Sequence, residues 1–499
     1  MSSSIMTSIA SDDNSAALPS LQDLSGASWT PLFNQDCSFP PEIFRSVLLN
    51  LIKNPNINTN RLFRADIFLD VSYDANTTEY QTEIPPRLTH FTNFQLKTII
   101  VRKMIPRNPV VDKPLDQTCL FHECNDEQGN INSLVTYLPH ISSADESPFY
   151  HPAVHGIGFL HQFNTNSKEG SNSIFYSFFP AEPRSPKLER TAQHLLAVIY
   201  KHGTGCAAGY SKRVQHDVII PQIRAQNTYS RLKIKYGRSL CEKWVEATDP
   251  TKHVFEDLAI AAFLIELWAD LYTESSFPGF VDIGCGNGLL VHILVEEGYS
   301  GWGFDARRRK SWSSWSQKAQ ENLKEMVLIP SILRKAPNTD GMSQVLRSDT
   351  HTEVGIEVGI HDGRFPKGTF IISNHADELT PWTPILANMS ESPFMMIPCC
   401  SHRLNGSRFR APHPKGAPAS TSQYAALVVW ISKISEDCGW VVEKEMLRIP
   451  STRNAAVIGR SRKIAFGYVE VEDVVTNYGG AAGWEENSLK LLKGATRGH

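Results

Sequence analysis

The sequence predicts an α/β protein. A doubly wound, mostly parallel sheet is expected over residues 251–475, and an α+β or β-rich domain before it over residues 30–200. Three observations carry this reading. The apolar run Phe280-Val281-Asp282-Ile283 meets Gly284-Cys285-Gly286-Asn287-Gly288 and passes at once into Leu289-Leu290-Val291-His292-Ile293-Leu294-Val295. A β-forming run, a glycine turn and an apolar helical pattern make the first strand–turn–helix unit of such a sheet. A second short strand, Gly301-Trp302-Gly303-Phe304-Asp305, follows and ends in an acid. Upstream, the β-rich runs Ile67–Val71, Leu96–Val101 and Ser133–Tyr137 are separated by Pro, Asn and Asp clusters, the pattern of short strands and turns.

The length of 499 residues allows about three domains at ~150 residues each. Hydrophobic content of 41% and aromatic content of 10% suit a packed globular protein. The net charge of −3 excludes a chain that is basic throughout, so any nucleic-acid surface must be local. Nine scattered cysteines, odd in number and without a signal peptide before them, predict a reduced, cytoplasmic protein. Residues 1–29 begin Ser-rich, suit neither a secretory signal nor a transit peptide, and are expected to be disordered. No run of apolar residues is long enough to span a membrane.

Along the chain, Cys119, His122 and Cys124 offer three metal-type ligands, but their spacing matches no common zinc pattern, and structural roles are expected. Residues 201–250 form a basic segment. Between residues 201 and 240 lie Lys201, Lys212, Arg213, Arg224, Arg231, Lys233, Lys235 and Arg238 against one acid, Asp217, with Tyr210, Tyr229 and Tyr236 interleaved. Such a stretch suits phosphates and stacked bases, and Lys212, Arg213, Arg231, Lys233 and Lys235 are the expected RNA contacts. The plain alternative is a solvated helix face whose cations pair with acids elsewhere. Residues 252–272 predict a long helix with Val254, Leu258, Ala261, Ile265 and Trp268 on one apolar face. A helix with Trp312 and Trp315 is expected after the basic run Arg307-Arg308-Arg309-Lys310, and residues 330–352 read as a polar surface insertion. Thr369–Ser373 and Phe394–Ile397 read as buried strands that run into Asn374-His375-Ala376-Asp377-Glu378 and Pro398-Cys399-Cys400-Ser401-His402. Ligands of open α/β sheets bind beyond the carboxyl ends of the strands, so these two segments should share a crevice with Asp282 and Asp305. Residues 403–420 read as a mobile basic loop, and residues 476–499 as a tail that folds back or frays.

The glycine turn carries the chemistry. A dinucleotide fingerprint is G-x-G-x-x-G, whereas here the third glycine comes one residue early. Asp282-x-Gly284-x-Gly286-x-Gly288 resembles instead the loop of S-adenosylmethionine-dependent methyltransferases. That resemblance implies a carboxylate, Asp282, for the ammonium of the ligand. It also implies a close backbone approach along Gly284, Cys285, Gly286 and Gly288, and an acceptor, Asp305, for a ribose diol.

Several further stretches resemble one family, the tRNA uridine-44 2′-O-methyltransferases. They are Lys212–Asp217 with Pro221-Gln222, Trp244–Pro250, Lys252–Leu258, Asn374–Pro381, Pro398-Cys399-Cys400 and Arg448–Thr452, and the likeness covers roughly residues 200–485. The family implies a Rossmann-like class I methyltransferase domain, S-adenosylmethionine as donor, and serine tRNA as substrate. After Pro398-Cys399-Cys400 the chain departs from the family, with Ser401-His402-Arg403 in place of aromatics. Methyl transfer to a ribose hydroxyl requires alignment and loss of the hydroxyl proton, and no metal. The candidates for that proton are His375, Asp377 and Glu378, with Asp377 the expected base. Other acceptors, a base nitrogen or a protein side chain, remain open, as does a non-catalytic RNA-binding scaffold. Asn374 lacks the proline pair common in amino-group methylases, and the intact acids and glycines weigh against a decayed site.

Overall fold

The computed structural model of the chain describes residues 7–8, 20–77, 79–108, 111–125, 129–180, 184–210, 216–334, 359–414, 416 and 422–492. The chain divides into two units, Met1–Lys212 and Arg213–His499.

The first unit is one antiparallel sheet with helices on one face. Its elements are β1 (Thr7–Ser8), β2 (Leu21–Gln22), β3 (Ser28–Cys37), α1 (Pro41–Lys53), β4 (Leu62–Ser72), β5 (Gln95–Pro106), β6 (Leu115–Asn125), β7 (Asn130–Pro139), β8 (Gly156–Asn164), β9 (Glu169–Ser177) and α2 (Pro186–Ala207). The strand order is β1-β3-β9-β8-β7-β6-β5-β4, with β2 paired to β3. Residues 20–29, expected to be disordered, thus carry β2 and the start of β3; Trp29 on β3 is buried to 1% exposure. Side chains alternate across the sheet. Ile100, Cys119 and Phe121 face the helices with Phe44, Leu48, Ala192 and Leu196, while Ile99, Leu120 and Leu134 face the opposite cluster with Trp29 and Phe91. That alternation places Cys119 and His122 on opposite faces. The imidazole of His122 meets the Thr89 carbonyl at 3.0 Å and the Phe91 ring, so structural roles hold for both.

The second unit begins with α3 (Gln222–Leu232), a π-helical turn (Lys233–Gly237), α4 (Arg238–Glu242) and α5 (Pro250–Leu271). Alternation follows: β10 (Phe280–Ile283), α6 (Leu289–Glu296), β11 (Gly301–Asp305), α7 (Gln317–Glu321), β12 (Leu323–Glu325), β13 (Val327–Leu328), β14 (Ile360–His361), β15 (Phe370–Asn374), α8 (Thr383–Met389) and β16 (Phe394–Ile397). The chain closes with α9 (Gln423–Asp437), β17 (Trp440–Met446), β18 (Ala455–Arg462), α10 (Val471–Asn477) and α11 (Trp484–Leu492). The sheet order is β12-β11-β10-β15-β16-β18-β17. β10 pairs in parallel with both β11 and β15, and only β18, antiparallel to both β16 and β17, runs against the rest. The strand order therefore reverses direction at β10, which puts a crevice at its carboxyl end.

Helix α5 is capped by Asp249, whose carboxylate accepts from the Thr251 N–H at 2.9 Å, and opens with Pro250. The expected apolar face is present, but burial extends around the helix to Ile260, Phe263, Leu264 and Leu267, because both the sheet and α3 pack on it. Trp312 lies in, and Trp315 directly follows, a short 3₁₀ turn (Lys310–Ser314) rather than a full helix. The tail folds back in part: Trp484 is buried and donates to the Leu328 carbonyl at 2.8 Å. The polar insertion expected over 330–352 falls mainly outside the described residues, as do Lys415 and residues 417–420 of the basic loop expected over 403–420.

Candidate active site

The glycine turn between β10 and α6 is held from outside. Trp312 Nε1 donates to the Gly286 carbonyl at 2.8 Å, and Trp315 Nε1 and Ser311 Oγ donate to the Asn287 carbonyl at 2.8 and 2.9 Å. Glu246 in turn accepts from the Ser311 N–H at 2.9 Å, which gives the Trp244–Pro250 segment its role as a brace for the turn. Gly284, Gly286 and Gly288 all have φ in the left-handed region, where a side chain is strained. Their surroundings differ. A Cβ on Gly288 would meet Leu323 at 2.7 Å and one on Gly284 would meet Ala376 at 3.0 Å, whereas one on Gly286 meets nothing within 4 Å. Gly288 and Gly284 are thus glycine for packing, and Gly286 faces the open cleft.

Asp305 closes the turn. Its two oxygens accept from the Gly286 and Arg307 N–H groups at 3.0 and 3.1 Å, and each oxygen keeps a lone pair for a ligand. Asp282 is 1% exposed, and its Oδ1 is buried with no hydrogen-bond partner among the described residues. Burial pushes its carboxyl well up, and the nearby charges of Asp257 and Asp305 push the same way. Cys285 can meet a ligand through its backbone alone. Its side chain lies in the apolar core and its N–H bonds to the Phe304 carbonyl at 2.9 Å, so it supports the turn and does not face the cleft. An orphaned buried carboxylate oxygen, an open space at Gly286 and an acceptor at Asp305 fit the amino-acid end, the backbone approach and the ribose of S-adenosylmethionine.

At the end of β15 the structure brings acids of α5 to the expected crevice residues Asn374 and His375. Two consecutive buried acids on α5 meet two consecutive residues after the strand. Asn374 Nδ2 donates to Asp257 Oδ1 at 3.1 Å, and His375 Nε2 lies 3.1 Å from Glu256 Oε1. Burial, then the charge of Glu256, pushes Asp257 up to about 7. His375 and Asp377 both hold φ in the left-handed region, at 53° and 43°. Such backbone strain, about 1–3 kcal/mol per residue, survives where the surroundings over-determine it, often at working sites.

Asp377 is differently engaged from Glu256. Its Oδ1 accepts from the Cys399 thiol at 3.1 Å. Asp377, Cys399 and Cys400 place their ligand-type atoms within 4.8 Å of one another, the one such group among the described residues. Burial and the neighbouring carboxylate push both thiols up, so they stay protonated and bond to Asp377. Glu378 stands in the 3₁₀ turn Asp377–Trp382, which shows no side-chain cap.

Of the expected RNA contacts, Lys212 and Arg213 lie outside the described residues. Arg231 and Lys235 have another partner: both pair with Glu297 at the C-terminal cap of α6, Lys235 at 2.9 Å. Lys233 sits over the Phe255 ring at 5.2 Å. Arg224 pairs with Glu266 and Asp270, and Arg238 with Glu242. The stretch is thus largely a face whose cations are matched by acids from elsewhere in the unit. Exposed cations stand nearer the cleft. Arg308, Arg309 and Lys310 follow β11, and Arg403, Arg408 and Arg410 follow β16, at the same edge of the sheet as Asp305 and His375.

Comparison with known proteins follows this geometry. Residues 8–213 match the family model described as "TRM44-like, N-terminal bet v1-like domain", and residues 219–330 match "Predicted AdoMet-dependent methyltransferase". The chain is 53% identical to a tRNA (uracil-O(2)-)-methyltransferase of Neurospora crassa, covering 93% of each chain. It is 38% identical to a protein of that name from Schizosaccharomyces pombe, covering 95% of each. It is 37% identical to another from Debaryomyces hansenii, covering 95% of this chain and 96% of the relative.

Proposed function

Because the chain belongs to the tRNA (uracil-O(2)-)-methyltransferases, S-adenosylmethionine-dependent enzymes that methylate the 2′-oxygen of a uridine in tRNA, we propose that its target is uridine 44 of serine tRNA. The finer assignment rests on the resemblance of Lys212–Asp217, Asn374–Pro381 and Pro398–Cys400 to that group and on the match to a TRM44-like first domain. Nine free cysteines fit a reducing compartment, and we place the protein in the cytoplasm.

The single observation that carries the mechanism is the His375–Glu256 pair. Bound S-adenosylmethionine supplies an electrophilic methyl group on a sulfonium. Asp282 and Asp305 would hold its ammonium and ribose, and Gly286 would let it approach the backbone. The chain must then take a proton from the ribose hydroxyl as its oxygen forms the bond to carbon. A neutral imidazole that gives its Nε2 hydrogen to Glu256 presents Nδ1 as an acceptor. His375 at the carboxyl end of β15 is therefore the proton acceptor in this reading, and Glu256 fixes its tautomer and orientation. Asp377, the expected base, has one oxygen committed to Cys399 and shapes the loop instead.

The substrate assignment is tested by incubating the protein with labelled S-adenosylmethionine and total tRNA, then mapping the modified nucleotide. Label at another position, or on tRNAs other than serine tRNA, overturns it.

A further inference from the structure

The first unit contains a cavity of about 360 Å³ between α2, the segment after α1 and strands β5 and β6. That volume is within the range of small-ligand sites. Its lining includes Arg61, Arg102, Lys187, Arg190, His151 and His194, and no Asp or Glu. Arg102 on β5 is only 2% exposed, yet all its bonds go to neutral acceptors. Nε and Nη2 donate to Gln117 Oε1 at 3.0 and 2.6 Å, and Nη1 donates to the Ile52 carbonyl at 2.6 Å. Gln117 passes the chain on to His151 Nε2 at 2.9 Å, whose Nδ1 lies 2.7 Å from the Pro152 carbonyl. Burial holds that imidazole neutral, lowered to about 4. The network satisfies every group in it but supplies no negative charge, and a buried cation without one is unfavourable.

A second observation points the same way. Lys187 lies in the first turn of α2, where the helix dipole favours anions, and Arg190 lies one turn on, on the same side. Neither these two nor Arg102 has an ion-pair partner among the described residues, whereas Arg61 is met by Asp112 at 3.6 Å. Lys187 and Arg61 also sit over the ring of exposed Phe149, at 4.3 and 4.4 Å. Three uncompensated cations around one concave, partly aromatic site suit a phosphate group.

We propose that this cavity is a phosphate-binding site through which the first unit holds a phosphate of the RNA substrate; the proposal rests on tRNA being that substrate. Lys187 and Arg190 are exposed, so Lys187→Glu/Arg190→Glu should fold normally. In the full chain the double variant should bind tRNA roughly tenfold more weakly, with its log–log salt slope smaller by about 0.7–0.9 per lost contact. KM for tRNA should rise while kcat at saturating tRNA stays unchanged. Uridine monophosphate, titrated into the wild type by calorimetry, should bind saturably and fail to bind the variant. Wild-type affinity and salt slope in the variant overturn the proposal, whether or not the mononucleotide binds. Binding decides the matter even if the wild type transfers no methyl group to tRNA, so failure of the enzymatic assignment is read separately.

Discussion

At the residue scale, Gly286 and Asp305 separate ligand recognition from packing. A valine at Gly286 enters open space, so its cost to folding is the strain of a left-handed φ, about 1–2 kcal/mol. Its side chain would occupy the approach to the ligand. We expect Gly286→Val to abolish S-adenosylmethionine binding while retaining the fold, and Asp305→Ala to do the same with some loosening of the turn it caps. Calorimetry that finds wild-type affinity in both variants removes the motif assignment. The proton acceptor is tested in the same way. His375→Ala should lower kcat by ~10²–10⁴-fold, the usual extent of general-base loss, with S-adenosylmethionine affinity nearly unchanged. Glu256→Gln keeps the shape but gives up a charge-assisted hydrogen bond of about 1.5–3 kcal/mol, so kcat should drop on the order of 10–100-fold. If Asp377→Asn does more damage than His375→Ala, the base is Asp377 and the reading of the pair is wrong.

Helix α5 and the strands beside it make two predictions at the element scale. Gly301 opens β11 directly opposite Phe280 of β10, and a Cβ there would lie 2.2 Å from the phenyl ring. The ring is fully enclosed, so it cannot move aside. Gly301→Ala should destabilise the second unit by about 1–3 kcal/mol through overpacking, read as a lower denaturant midpoint with an unchanged slope. A stability equal to wild type would show that the strand pair slides to make room.

The acids of α5 and β10 also make ligand binding depend on pH. Asp257 is raised to about 7 and Asp282 stands well above the ordinary carboxylate range, mainly through burial and then through neighbouring carboxylates. Protonated carboxyls attract an ammonium poorly. A cation bound beside Asp282 therefore favours loss of the proton, and by linkage its affinity should rise with pH where these raised carboxyls titrate, above the ordinary carboxylate range. Calorimetric titrations in buffers of different ionisation enthalpy should show proton release on binding, and Asp282→Asn should flatten the dependence. An affinity that does not rise anywhere between about pH 5 and 9 in the wild type excludes this coupling.

The molecule as a whole is slightly acidic, so its attraction for RNA has to come from local surfaces. Near the active-site edge, Arg308, Lys310, Arg408 and Arg410 are exposed and have no acid partner among the described residues. Neutralising Arg308 and Arg408 should lower tRNA affinity and reduce its salt slope, by roughly 0.7–0.9 per contact. Neutralising Arg231 and Lys235 should do less, because Glu297 already offsets them. The opposite ranking, measured by tRNA binding at several salt concentrations, would restore the α3 stretch as the RNA face.

Local pattern was sufficient for the strand and the helix on either side of the glycine turn, for α5 and for the mostly parallel sheet. Those signals are carried by neighbours in sequence: a side-chain period, a turn that only glycine tolerates, and an acid at the end of a strand. The partners of those groups were decided by tertiary structure alone. Glu256 and His375 are 119 residues apart, and no local periodicity encodes that one buried helix turn will face the end of a strand so far away. The same distance hid Glu297 from the basic stretch, where Arg231 and Lys235 meet it only in the folded chain. Cys285 shows the reverse: its place in the motif was legible, but only the packing of β11 beside β10 fixed which way its side chain would point. What a residue is can be read along the chain, whereas what neutralises, orients or buries it is set by contacts that form only on folding.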